Sequence, residues 1–73
     1  MPKLPVVSAR KLIKAFIKMG FEKVRQTGSH IVMKHIDGRI AIIPNHKEIK
    51  KGTLRNGILK PLHITVEDLI KNL

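Results

Sequence analysis

The chain has 73 residues, enough for one modest core but not for two lobes around a cleft, so any functional site must lie on an outer face. Fifteen Lys and Arg against five Asp and Glu give a net charge of +10, a field that concentrates polyanions. Nucleic acid is the leading partner class, ahead of acidic protein or an anionic membrane surface, and with no cysteine present, disulfides and thiolate metal sites are excluded.

Residues 1–7 read as a short extended leader restricted by Pro2 and Pro5. It lacks the long apolar stretch of a secretion signal, and no later run approaches the roughly 20 apolar residues of a membrane span, so a cytoplasmic chain is expected. Ser8 is a good N-cap. Ala9, Leu12, Ile13, Phe16 and Ile17 recur at three-and-four spacing, which predicts a helix from Ala9 to Met19 with those residues buried. Arg10, Lys11, Lys14 and Lys18 line its other side, and Gly20 supplies a left-handed cap.

From Phe21 the period changes to that of strands. Glu22 to Gln26 forms the first, with Val24 its inward residue, and Thr27-Gly28 forms a turn. Ser29 to His35 is a second strand rich in β-branched residues. Ile36-Asp37-Gly38-Arg39 is a hairpin connection, Asp-Gly supplying the positive φ angles of a two-residue turn. Ile40 to Ile43 is a third strand, partly covered or at an edge, where Pro44 ends it.

Asn45 to Lys51 is a polar, basic loop. A second helix is expected from Gly52-Thr53 towards Lys60, interrupted by Gly57 and stopped by Pro61. Thr65-Val66-Glu67-Asp68 resembles a capping box and predicts a short final helix over Val66 to Lys71. The order gives a single α+β domain over residues 1–73: a three-stranded antiparallel sheet, two helices packed on one face, and a short C-terminal helix.

RNA cleavage without a metal needs a base for the 2′-hydroxyl, an acid for the leaving oxygen and positive charge on the phosphate. Histidine suits the proton transfers. Of His30, His35, His46 and His63, none forms an evident metal pair. His30 and His35 lie five apart on one strand and point to opposite faces. The acidic residues Glu22, Asp37, Glu48, Glu67 and Asp68 are too scattered for a two-metal nuclease, so no cofactor is expected. Nothing marks a strained nucleophile elbow at Ser29.

His30 has the best setting, with Ser29 and Arg25 close in sequence and Lys34 on its own strand face. By spacing alone it is either an ordinary exposed strand histidine or a proton-transfer group. His63 belongs to the turn before the last helix, and His46 lies in the basic loop. Lys47, Lys50 and Lys51 precede a helix start and form either a phosphate site or a solvated charge run. The only aromatics are Phe16 and Phe21, so the stacking platforms of many single-strand binders are missing.

Gly20-Phe21, Arg25-Gln26-Thr27-Gly28-Ser29-His30, Asp37-Gly38-Arg39, Ile43-Pro44, Lys47-Glu48-Ile49 with Lys51-Gly52-Thr53-Leu54-Arg55, and Ile64-Thr65-Val66-Glu67-Asp68 occur in this order. Together they resemble the HicA (YcfA-like) toxins over nearly the whole chain. The resemblance implies a ribosome-independent mRNA interferase of a toxin–antitoxin system, with an αβββα fold like a double-stranded-RNA-binding domain. It implies that activity depends on the histidine of Gly-Ser-His, here His30, as general acid or base. It also implies a HicB-like antitoxin that blocks the site. Arg25, Ser29, Lys34, Lys47, Lys50 and Lys51 are the expected RNA-binding residues, and the free toxin is expected as a monomer. The alternative is a non-catalytic module that grips double-stranded RNA by shape. One region departs from the family pattern. Asn56-Gly57 precedes Ile58, and Pro61-Leu62-His63-Ile64 replaces an Ala-Gly-Ile-type turn with one extra residue, which bears on the second helix.

Overall fold

The computed structural model describes residues 4–73, so Pro2, part of the expected leader, lies outside the described residues. Helix α1 (Ala9–Lys18) leads into strands β1 (Phe21–Thr27), β2 (His30–His35) and β3 (Ile40–Pro44), then a π-helix (Thr53–Leu59) and helix α2 (Val66–Asn72). The strands pair antiparallel in the order β1-β2-β3. α1 packs on β1 and β3, the π-helix packs on β3, and α2 packs on α1. The predicted α+β order and the three-stranded sheet are borne out.

Ser8 caps α1 as expected, its hydroxyl accepting from the Lys11 N–H at 3.2 Å. The buried side of α1 is Ala9, Leu12, Ala15 and Phe16, with Ile13 half-buried. Ile17, expected inside, is instead exposed. The buried stripe therefore runs along positions 9, 12, 15 and 16, and Ile17 lies beyond its rim towards the Lys14 and Lys18 side.

The core face of the sheet carries Phe21, Ile31, Met33, Ala41 and Ile43, all buried. Each fully buried Phe, Ile or Met contributes about 1.5–3 kcal/mol by leaving water. β1 departs from the strict alternation assumed for it. The pairing skips Val24, so that Lys23 faces Met33 and Arg25 faces Val32. Val24 is thus the extra residue of a bulge and is 54% exposed rather than inward. A period-two reading cannot foresee such a phase shift.

Both turns differ from expectation in detail. The first consists of Gly28-Ser29, one residue later than predicted, with Thr27 already paired to His30. Gly28 has φ +57°, the left-handed value that a two-residue hairpin demands at its first position. The second turn is not a two-residue Asp-Gly turn. The Gly38 N–H donates to the His35 carbonyl (2.9 Å) and the His35 N–H to that of Arg39 (2.8 Å). This closes a three-residue loop in which Gly38 alone has positive φ.

The segment around Asn56-Gly57 forms a π-helix over Thr53–Leu59. An i→i+5 hydrogen bond spans one residue more than that of an α-helix, and the Lys60 N–H reaches the Arg55 carbonyl at 2.9 Å in that spacing. Leu54, Ile58 and Leu59 remain on the buried side. The segment ends in a Schellman arrangement. The Ile64 N–H donates to the Leu59 carbonyl and the His63 N–H to that of Lys60, with His63 at φ +57°. Thr65 then caps α2 through the Asp68 N–H at 3.0 Å, as its capping pattern predicts.

Candidate functional site

The face of the sheet turned away from the helices carries the residues that the sequence singles out. Because opposite residues of paired strands share a face, the register lays three rows across it: Thr27–His30–Pro44, Arg25–Val32–Ile42 and Glu22–Lys34–Ile40. Direct neighbours in a row stand about 5 Å apart at Cβ and successive rows about 7 Å apart. His30, Arg25 and Lys34 are exposed, and Val32 is half-buried between them. Two cations and one imidazole therefore project to the same side of a rigid sheet.

These cations are unspent. Among the described residues, the one ion pair of a Lys or Arg side chain joins Arg39 to Asp37. Arg25 and Lys34 thus keep their charge for an incoming anion. His30 makes no side-chain hydrogen bond among the described residues, and its Gly28-Ser29 turn fixes where the strand begins. Ser29 contributes through its backbone, its carbonyl accepting from the Asn45 N–H at 2.6 Å.

That bond fastens the start of the basic loop to the His30 end of the sheet. The loop is pinned twice more. The His46 carbonyl accepts from the Ala9 N–H (2.9 Å), and buried Ile49 bridges to Val7, its N–H donating to the Val7 carbonyl at 2.8 Å. Lys47, Lys50 and Lys51 are exposed on this loop. Their loop joins the open face through the Asn45 N–H to Ser29 carbonyl bond.

His35, on the other face of β2, serves the architecture. Its Nε2 lies 2.9 Å from the Met19 carbonyl, and its Nδ1 accepts from the Asp37 N–H at 3.1 Å. The ring meets Phe21 edge-on at 4.8 Å, and Phe21 in turn stacks on Phe16. Arg39 completes the cluster. It donates Nε–H to Asp37 Oδ2 at 2.8 Å and reaches the Leu62 carbonyl at 2.6 Å, while lying over the Phe21 ring. The Arg39 backbone N–H, and then its guanidinium, hold the Asp37 carboxyl below its ordinary range. The sequence marks Asp37-Gly38-Arg39 only as a turn and a family motif. Its tie from the hairpin to Leu62, in the turn after the π-helix, is a long-range contact without a local signal.

Among the described residues no three His, Asp or Glu side chains converge as a metal site, and no helix is long and apolar enough to cross a membrane. The family model described as HicA toxin of bacterial toxin-antitoxin matches residues 9–64. The chain belongs to the HicA toxin family. The matched stretch runs from α1 through the sheet and the basic loop to the Schellman turn, so it contains the whole open face. Membership makes the chain a toxin of a toxin–antitoxin system, for which an antitoxin partner is implied in general. No curated protein matches the chain at a significant level.

Proposed function

We propose that this HicA-family chain is a metal-independent endoribonuclease that cleaves mRNA in the cytoplasm, with His30 as general acid and base. The observation that carries the reading is an exposed His30 on the same open face as the unpaired cations Arg25 and Lys34. In the reaction His30 takes the proton of a ribose 2′-hydroxyl, and the O2′ attacks the adjacent phosphorus. The bond to the 5′-oxygen breaks, that oxygen collects a proton from the imidazolium, and a 2′,3′-cyclic phosphate remains. Arg25 and Lys34 hold the phosphate oxygens as negative charge builds, and Ser29, Lys47, Lys50 and Lys51 hold flanking parts of the strand. A HicB-like antitoxin, the expected acidic partner, blocks this face.

The test is to express wild type and His30→Ala from a tight promoter while following growth and mRNA integrity. Replacing a proton-transfer group lowers cleavage by about 10²–10⁴-fold, so the variant lets cells grow with intact message. Equal arrest by both proteins sinks the catalytic role. It would instead favour a module that grips double-stranded RNA through the Lys47, Lys50 and Lys51 loop.

A further inference from the structure

The two edges of the sheet are built differently. At β1 the Val24 bulge breaks the ladder, and Glu22, Lys23 and Arg25 put charge along the strand. Those are the devices by which proteins keep an edge from pairing with foreign strands. β3 has none of them between Ile40 and Ile43.

The hydrogen-bond phase of β3 is fixed at both ends. The His35 N–H donates to the Arg39 carbonyl, and the Asn45 N–H to that of Ser29. By the alternation of an antiparallel ladder, residues 39, 41, 43 and 45 turn their backbone groups towards β2. Ile40 and Ile42 therefore turn their N–H and C=O groups outward, along the free edge of the sheet. Their side chains stand on the open face, 57% and 56% exposed. Pro44 occupies the next outward position and has no N–H, so any added ladder ends there, in the row of His30.

We propose that this edge of β3 is where the antitoxin binds, by adding an extended, acidic segment as a fourth strand of the sheet. The inference rests on the reading of an antitoxin partner given above and names how that partner grips. Backbone pairing to Ile40 and Ile42 supplies the line of hydrogen bonds, and apolar side chains at alternate positions cover the two isoleucines. Charge selects the occupant. A second copy would bring another +10 against this one, whereas a segment with carboxylates complements Lys34 and Arg25. The added strand lies two strand spacings, roughly 10 Å, from β2. Long acidic side chains on its open side span that gap and cover His30, so strand addition and inhibition are one event.

The experiment titrates wild type and two variants against a purified acidic HicB-like antitoxin, with melting curves to establish folding. Ile42→Pro removes one outward N–H at a register where Pro44 shows that proline fits. It is expected to weaken binding about tenfold or more, because the partner's carbonyl is left unpaired. Ile42→Thr keeps the N–H and a β-branched shape, and stays within about threefold of wild type. Equal affinity of a folded Ile42→Pro overturns the proposal. If that variant does not fold, amide hydrogen exchange of wild type decides. The Ile40 and Ile42 amides slow in the complex while the loop amide of Ile36 does not, and unchanged exchange at saturation overturns the proposal. Protection that appears with concentrated toxin alone also overturns it, in favour of a second copy. The nuclease reading fails differently: wild type leaves RNA intact, yet antitoxin binding still depends on the Ile42 N–H.

Discussion

His30 and His35 begin and end the same strand, and the sheet assigns them to opposite faces. His35 is turned inward, 18% exposed, with both ring nitrogens engaged by Met19 and Asp37 and its ring edge-on to Phe21. His30 is exposed, makes no side-chain hydrogen bond among the described residues, and shares its face with Arg25 and Lys34. Identical side chains on a single strand thus divide into one bound into the fold and one exposed on the open face.

The largest effects come from exchanging the two losses. His30→Ala is expected to remove RNA cleavage while leaving the melting temperature within about 2 °C, as for a surface change of a few tenths of a kcal/mol. His35→Ala takes away the Met19 and Asp37 hydrogen bonds and a packed ring. It is expected to cost about 2–4 kcal/mol, with cleavage by the remaining folded fraction unchanged. Chemical denaturation combined with a single-turnover RNA assay reads both. If His35→Ala proved stable but inactive, the division between the histidines would collapse.

A smaller effect tests how closely the neighbourhood of His35 is built. Gly20 follows α1 at φ +101°, and a Cβ placed there would lie 2.8 Å from His35 Nε2. Gly20→Ala therefore carries backbone strain and displaces the imidazole from the Met19 carbonyl, at a cost of about 2 kcal/mol. In the double variant with His35→Ala the obstructing ring is gone. The two losses then sum to less than their separate values by about 1 kcal/mol, measurable in a double-mutant cycle. Full additivity would mean that Gly20 is needed for its φ alone. Gly28, with open space around its Cα, gives no such coupling.

The sequence made α1, the three strands and α2 legible because each is a local pattern: a capped helical stripe, alternating β-branched runs, a capping box. It also placed His30 and Lys34 on one face, since strand alternation needs only their spacing. It missed what depends on partners far along the chain. The bulge at Val24 arises from pairing with β2, and only that shift turns Arg25 to the His30 face. The exposure of Ile17 depends on how α1 lies on the sheet and α2. Arg39 reaching Leu62 spans 23 positions and leaves no trace in the periodicity. The family resemblance supplied the emphasis on His30, which spacing alone left open between two readings.

His63 is the third case and the smallest effect. It is exposed and stands in the left-handed conformation at φ +57°, where a Cβ crowds the following carbonyl. The Schellman hydrogen bonds to Leu59 and Lys60 come from backbone groups, so the imidazole contributes nothing to the turn that glycine would lose. Glycine gains freedom in the unfolded chain, which offsets part of the relief of strain. His63→Gly is accordingly expected to stabilise the protein by about 0.5–1 kcal/mol, a rise of a few degrees in melting temperature, with RNA cleavage unaltered. A destabilised His63→Gly would show that the side chain has a partner on the folded surface. His63 would then stand beside His35 as an architectural histidine despite its exposure.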